Sequence, residues 1–387
     1  MSKSFRKFTI LWLGQLIAFI GHGITSFALG VYAFSFHQSS FDTSMVLLLG
    51  FLPSVLLMVP AGVLADRHDR RLLMILGDGL SALGILYILL MKINGHLHLN
   101  NIFIGVAISS FFSSLMQPAF QATVSDLLTK DEYTKASGMV QIAASSQYLI
   151  SPIIAGFLMK SGLELILILD ICTVFITILA TFYIRKQIVN KKIENKESFG
   201  KNLKEGWRLL HSNKGIFNLV FISTSLTFFM GVIQTLANPF FLSFTNSETL
   251  GIAMTLCSLG MLVGGLVLGM YSIQSNYVKK LSLALFLAGM GMVGFGATTN
   301  IVFIVLFGFL FFLFLPVINA ILDFLIRSNT KNEHQGRIWA FIGFISQIGF
   351  IVSYPLSGLL LSLTAILLYK NKSIRSLENS SLGGSNG

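Results

Sequence analysis

Charge is what this 387-residue chain has least of. Asp, Glu, Lys and Arg together make up 11% of it, less than half of the ~25% usual in a soluble domain. That scarcity excludes an ordinary soluble enzyme, and a nucleic-acid-binding domain with it. Cysteine is nearly absent as well. Cys172 and Cys257 both sit inside apolar runs, so neither a disulfide scaffold nor a metal site is indicated. The chain has no Walker loop, which excludes ATP-driven transport by this chain alone, and no nucleophile–base pair can be argued from spacing. It is therefore not expected to be an enzyme, nor to hold a cofactor or a metal. What it has in abundance is apolar surface: 54% hydrophobic residues, 35 phenylalanines and a mean hydropathy of +0.77. The composition is that of a polytopic membrane protein.

A spanning helix needs about 20 mostly apolar residues to cross a hydrocarbon core of about 30 Å. Such segments fall near 8–34, 43–64, 72–92, 101–124, 136–159 and 163–185, then near 215–240, 246–271, 281–298, 300–325 and 338–366. The first is too long for a signal-peptide core and lacks an A-x-A cleavage pattern, so it reads as a retained helix. Placing the N-terminus inside the cell puts 22 Lys and Arg residues in cytoplasmic segments, nine of them between Arg185 and Lys214, and leaves only Lys92 and Lys160 outside. The positive-inside rule thus accounts for the net charge of +11 without a nucleic-acid partner. A cell-membrane protein with a cytoplasmic N-terminus is expected.

The polar stretch 186–214 reads as a cytoplasmic linker between two hydrophobic blocks, residues 1–185 with six spans and 215–369 with five. From first span to last, the blocks cover 178 and 152 residues, a shortfall of 26 in the second, or about one helix and a turn. Six-plus-six duplication is the layout of transporters whose two bundles rock about a midplane site. The stretch from Ile338 to Tyr369 is too long for one untilted span and too short for two. About one helix is therefore expected to be missing or mis-joined near Leu359–Leu363, and the Gly/Ser-rich end of 370–387 reads as a disordered tail or an expression scar.

The most specific local pattern is GVLADRHDRR, from Gly62 to Arg71. It resembles the signature loop of the major facilitator superfamily, roughly G-x-L-A-D-R-x-G-R-[KR]. Here Asp69 stands where many members have Gly, which leaves the conformation of the turn open. A glycine at 62 permits close backbone approach, Asp66 suits the positive end of a helix, and Arg67, Arg70 and Arg71 suit carboxylates or lipid phosphates. The resemblance implies a cytoplasmic gate in which Asp66 and Arg70 latch the bundles in the outward-facing state; a plain positive-inside anchor is the alternative. The blocks FRKFTILWLGQLIAFIGHGIT, MQPAFQATVSDLL, LILDICTVFITIL and RIWAFIGFISQIGFIVSYPLSGLL are similar to segments of the macrolide-efflux branch of that superfamily, which also contains siderophore exporters. The resemblance spans essentially residues 5–360. The implied fold is an all-α multi-pass membrane protein of the major facilitator type, with two pseudo-symmetric six-helix bundles, the C-terminal one short by about one helix.

Segment 136–159 carries Ser151, Pro152, Ala155 and Gly156, a degenerate form of the G-P-x-x-G-G signature that the resemblance associates with antiporters. Pro152 removes a backbone donor and bends the helix, while Gly156 allows close helix contact. Gln141, Ser145, Tyr148 and Pro152 fall on one helical face, either a cavity wall or a set of interhelical hydrogen bonds. Gln15, Gln234, Asn238, Asn319 and Gln347 are the other polar residues placed to face a central cavity. Gly260, Gly264, Gly265 and Gly269 form small-xxx-small pairs and read as packing alone.

Ionisable residues at membrane depth are expensive and therefore informative. His22, flanked by two glycines, is the favoured proton-coupling candidate because imidazole titrates near neutral pH; the alternative is a neutral interhelical hydrogen bond. Asp78 and Asp170 match acidic positions of the branch, as proton sites or as structural partners of hydroxyls and amides. A cavity with aromatic walls, scattered amides and few charges suits a bulky lipophilic solute, although Phe is also ordinary lipid-facing filler. The expected protein is a secondary transporter, driven by the proton gradient, that exports hydrophobic drugs such as macrolides as a monomer in the bilayer. The alternatives are a siderophore or other metabolite exporter and a truncated, non-transporting membrane protein.

Overall fold

The computed structural model describes residues 2–57, 60–61, 64–65, 68–184, 207–208, 214–270, 277–329, 338, 341–350 and 352–354. These form helices connected by short turns, and no strand occurs among the described residues. The helices are α1 (Lys3–His37), α2 (Ser40–Leu56), α3 (Arg70–Ile93), α4 (Leu99–Leu127), α5 (Lys130–Leu149), α6 (Ser151–Leu158) and α7 (Leu163–Ile184). After the linker come α8 (Lys214–Leu242), α9 (Ser247–Met270), α10 (Tyr277–Gly296), α11 (Ile301–Ser328) and α12 (Phe341–Tyr354). Among the described residues, nine helical stretches are long and apolar enough to cross a membrane, with α5 and α6 contributing jointly to one of them, while α2 and α12 are shorter apolar helices. The expected linker lies largely outside the described residues, and the expected gap near Leu359–Leu363 and the tail lie wholly outside them.

Local chemistry sets the boundaries. Ser2 caps α1 by accepting from the Phe5 N–H, and α1 ends where Gln38 takes φ 54° and its N–H returns to the Phe34 carbonyl. At α5, Thr129 and Glu132 form a capping box. The segment expected as one helix over 136–159 is instead two, α5 and α6, broken at Ile150 two residues before Pro152. The proline has no N–H and its ring crowds the preceding turn, so the helix restarts with Pro152 in its first turn. Asp69 resolves the turn that the signature loop left open. It needs no left-handed backbone (φ −63°), and its carboxylate caps α3 by accepting from the Arg71 N–H at 3.0 Å.

α1 to α7 pack mainly with one another, through α3 on α4, α1 on α7, α3 on α7 and α2 on α4. In the second group α11 packs on both α9 and α10. Lipid is as apolar as a leucine side chain, so close contact here rests on shape more than on a hydrophobic drive. Gly260 and Gly264 show this: a side chain on either would strike the α11 backbone at Phe309 or Leu313, as the small-residue spacing of α9 predicts. Gly265 faces open space.

Candidate functional site

The end of the molecule that holds the start of α1 is termed proximal, the opposite end distal. Between the two groups lies a cavity of about 480 Å³, walled by α1, α2, α4 and α5 on one side and by α8, α9, α11 and α12 on the other. Among the described residues, its lining contains no Asp, Glu, Lys or Arg, and His22 is the only imidazole. The first group contributes mostly hydroxyls: Thr25, Ser26, Ser109, Ser110, Ser145 and Tyr148. The second adds amides and soft apolar groups, with Gln234 and Asn238 beside Met230, Met254, Met261 and Phe312.

Several ties join the two walls. Phe51 of α2 meets Phe350 of α12 edge-on at 4.9 Å between centroids, and Tyr354 adjoins both rings. The Tyr354 hydroxyl donates to Gln234 Oε1 at 3.1 Å, and Tyr148 reaches the same amide from the opposite wall. Ser258 on α9 donates to the Tyr148 carbonyl at 3.1 Å.

The distal end is closed. Val31, Phe27 and Met159 of the first group pack with Phe241, Leu250 and Ala253 of the second. Beyond them, Gly156 and Gly251 meet so closely that a side chain on Gly251 would run into the Pro152 carbonyl, and one on Gly156 into that of Ser247. Lys160 and Glu248 form an ion pair across the rim. Lys92, the other basic residue expected outside, donates to the Tyr32 hydroxyl at 3.1 Å and lies 3.8 Å from Glu164.

The structure sorts the residues singled out by sequence. Ser145, Tyr148, Pro152, Gln234, Asn238 and Asn319 line the cavity, and His22 is exposed into it. Gln15 does not: it is 1% exposed, buried inside the first group with neither amide atom paired. Gln347 is also absent from the lining, its Oε1 buried without a partner. Gln141 lies on α5, and its side chain is outside the described set. Ser151 is fully buried and donates to the Ile20 carbonyl at 3.0 Å, while Ala155 belongs to the core.

Asp170 on α7 is buried behind α1, with Thr25 and Thr173 beside its carboxyl and His22 within electrostatic reach. Its Oδ2 has no partner. Asp78 is buried on α3, away from the cavity, with Oδ2 likewise unpaired. In the signature loop, Gly62, Asp66 and Arg67 lie outside the described residues. Arg70 is buried and its Nε donates to the Ala65 carbonyl at 3.0 Å, and Arg71 Nε lies 3.4 Å from Asp69.

Sequence reasoning missed Gly251, Tyr354, Phe51 and Thr25. The last carried a signal: Thr25 lies three residues after His22, on the same helical face. Gly251 had none, because its importance comes from the helix opposite it.

A model of the Major Facilitator Superfamily matches residues 11–354. The chain belongs to that superfamily. It is 26% identical over 360 residues to Macrolide efflux protein A of Streptococcus pyogenes, covering 91% of this chain and 89% of that one. It is 27% identical over 373 residues to the Staphyloferrin A transporter of Staphylococcus aureus, covering 94% and 88%. Among solved structures, the nucleoside transporter NupG superposes with a TM-score of 0.69 at 15% identity, over 91% of this chain and 90% of that one, a likeness of fold alone. This superfamily member is a multi-pass membrane transporter, not an enzyme.

Proposed function

We propose that this transporter exports bulky, uncharged or weakly charged lipophilic compounds, macrolides among them, by alternating access coupled to the proton gradient. The observation that carries the reading is the cavity: about 480 Å³ shared by both helix groups, with aromatic, thioether, hydroxyl and amide walls and, among the described residues, no Asp, Glu, Lys or Arg. Hydroxyls and amides supply orientation and apolar walls supply area, as in other sites for small lipophilic ligands. The similarity to Macrolide efflux protein A points the same way.

With the N-terminus in the cytoplasm, as the distribution of basic residues favours, the distal seal faces outward. The molecule is then closed to the exterior, and the solute enters from the cytoplasm or the inner leaflet. Proton drive is assigned to the first group, where His22 faces the cavity and Asp170 is buried behind it. An uncompensated carboxyl at this depth is costly and persists where it has a function.

The second reading, export of a siderophore, draws on the similarity to the Staphyloferrin A transporter. An iron chelator carries several anionic oxygens and would need cationic side chains in the wall, and the described lining holds no Lys or Arg. Erythromycin accumulation in cells with and without the gene tests the choice. Expression lowers accumulation, and an uncoupler restores it. Accumulation indifferent to both expression and uncoupler would refute the proposal.

A further inference from the structure

Behind the cavity wall, the first group buries a file of polar side chains that solute binding does not use. On α7, Asp170, Thr173, Thr177 and Thr181 recur at i, i+3, i+7 and i+11, one face of a helix that is mainly apolar beyond Glu164 in its first turn. That face meets α1 in register. Thr173 abuts Gly21 and flanks the Asp170 carboxyl, and Thr177 donates to the Gly14 carbonyl at 3.0 Å. α7 packs on both α1 and α3, Ile178 reaches Gly79 of α3, and Phe8 and Leu11 of α1 share a buried cluster with Met74 of α3, which places Gln15, Thr181 and Asp78 along the flanks of α7.

These levels hold the anomaly. Both amide atoms of Gln15, Oγ1 of Thr181, and Oδ2 of Asp78 and of Asp170 are buried without a protein partner. Buried polar groups in native proteins are almost always satisfied, by water where protein offers nothing. The second group also buries lone hydroxyl and amide atoms, at Thr224, Thr255, Ser346 and Gln347. What sets the five in the first group apart is that they include two carboxylates and lie along one face of α7 and the helices beside it, next to lipid that can supply no hydrogen bond. The titratable and charged groups bordering it are His22 on α1, Asp170 on α7, and Asp78 on α3 with buried Arg70 about 12 Å further along that helix, at 1.5 Å per residue. The faces of α4 that meet α3 at Gly77 are apolar, Phe112 and Met116.

We propose that the seam between α1, α3 and α7 is a hydrated proton route, separate from the solute cavity, running from Asp170 past Thr177, Gln15 and Thr181 to Asp78 near the proximal end. It rests on the proton-coupled reading above and adds to it a physical separation of the two cargoes. His22 and Asp170 form the junction where the solute cavity and the proton route touch, so that solute in the cavity and proton on the carboxyl sense each other there. Gln15 and Thr181 are positioning residues that hold the water file and do not touch the solute.

The test uses the full chain in proteoliposomes with radiolabelled erythromycin, comparing wild type with Gln15→Leu and Thr181→Val. Two quantities are read: accumulation driven by an imposed proton gradient, with a pH-sensitive dye reporting proton flux, and counterflow exchange without a gradient. The proposal predicts that both variants keep counterflow near the wild-type rate while gradient-driven accumulation and proton flux fall about tenfold, the effect of roughly 1.4 kcal/mol on the transfer barrier. Variants that retain full proton flux would overturn the seam and leave proton coupling standing. Loss of counterflow along with proton flux would also overturn it, placing these residues in the solute path or the structural core. A wild-type protein that exchanges erythromycin but moves no protons would overturn the coupled reading, and the seam with it.

Discussion

The two helix groups around the cavity are built from helices of similar length, yet they bury different chemistry. The first holds Asp78, Asp170, Arg70, Gln15 and many hydroxyls in its interior; the buried polar residues described in the second are Thr235, Asn238, Ser258 and Ser353, all uncharged. At membrane depth a buried ionisable group costs several kcal/mol, so a bundle keeps one only where charge is used. On the proposed proton-coupled reading, the contrast gives ion handling to the first group and solute shape to the second. On that reading it also explains why the described cavity wall can be electrically neutral.

The sharpest way to break this division is to change one residue on each side. Asp170→Asn leaves the shape of its site almost unaltered but removes the exchangeable charge, and gradient-driven accumulation in vesicles is expected to fall about 100-fold, the low end of what loss of a proton-transfer group costs. Gln234→Ala in the opposite wall is expected to raise the half-saturating erythromycin concentration about fivefold to tenfold, roughly one hydrogen bond, with the maximal rate nearly kept. Equal losses in rate from both substitutions would end the division.

A second comparison concerns the distal closure. Gly251→Leu puts a side chain where the Pro152 carbonyl already lies, and about 1–3 kcal/mol of overpacking should favour the open distal end. The checking measurement is labelling of a cysteine at Ser145 by a membrane-impermeant reagent from the distal side, which should rise. The paired control is Gly265→Leu on the same helix, facing open space and expected to change neither labelling nor transport.

Much of this was legible in the sequence. Apolar length located nine of the eleven expected spans to within a few residues, because the bilayer sets a minimum length whatever the neighbours are; the helices found within 43–64 and 338–366 are shorter. Pro152 marked a bend, which the structure makes a full break at Ile150, and the spacing of Ser145, Tyr148 and Pro152 marked a single face that lines the cavity. Gln15 and Gln347 show where such reasoning stops. In one dimension they are indistinguishable from Gln234, a polar residue in an apolar run. Their rotation about the helix axis is set by packing against other helices, and it turns both away from the cavity lining. The partnership of Gly156 with Gly251 depended in the same way on two distant segments meeting, and the setting of Asp170 on α1 crossing α7.

Smaller effects refine the same picture. Glu248→Gln removes the rim ion pair with Lys160, whose side chain is 65% exposed; such pairs contribute about 0–1 kcal/mol, so distal labelling should rise slightly and the charge-swapped double variant should restore it. Smallest of all is Glu132 at the proximal end. Hydrogen bonds from the Ser2 hydroxyl and the Thr129 backbone N–H hold its carboxyl below the usual range. A lowered folded-state value means its contribution is present above the ordinary carboxylate range and fades as pH falls through the lowered value. Melting curves of wild type and Glu132→Gln should therefore differ slightly at neutral pH and converge in acid.

The central claim, that a proton on the first group is exchanged for a solute held largely by the second, is tested most directly by counting protons released when purified protein binds erythromycin in weakly buffered solution. The account predicts net release by wild type, the same number per bound erythromycin in Asn238→Ala, and none in Asp170→Asn. If Asp170→Asn releases as many protons per bound erythromycin as wild type, the account is contradicted.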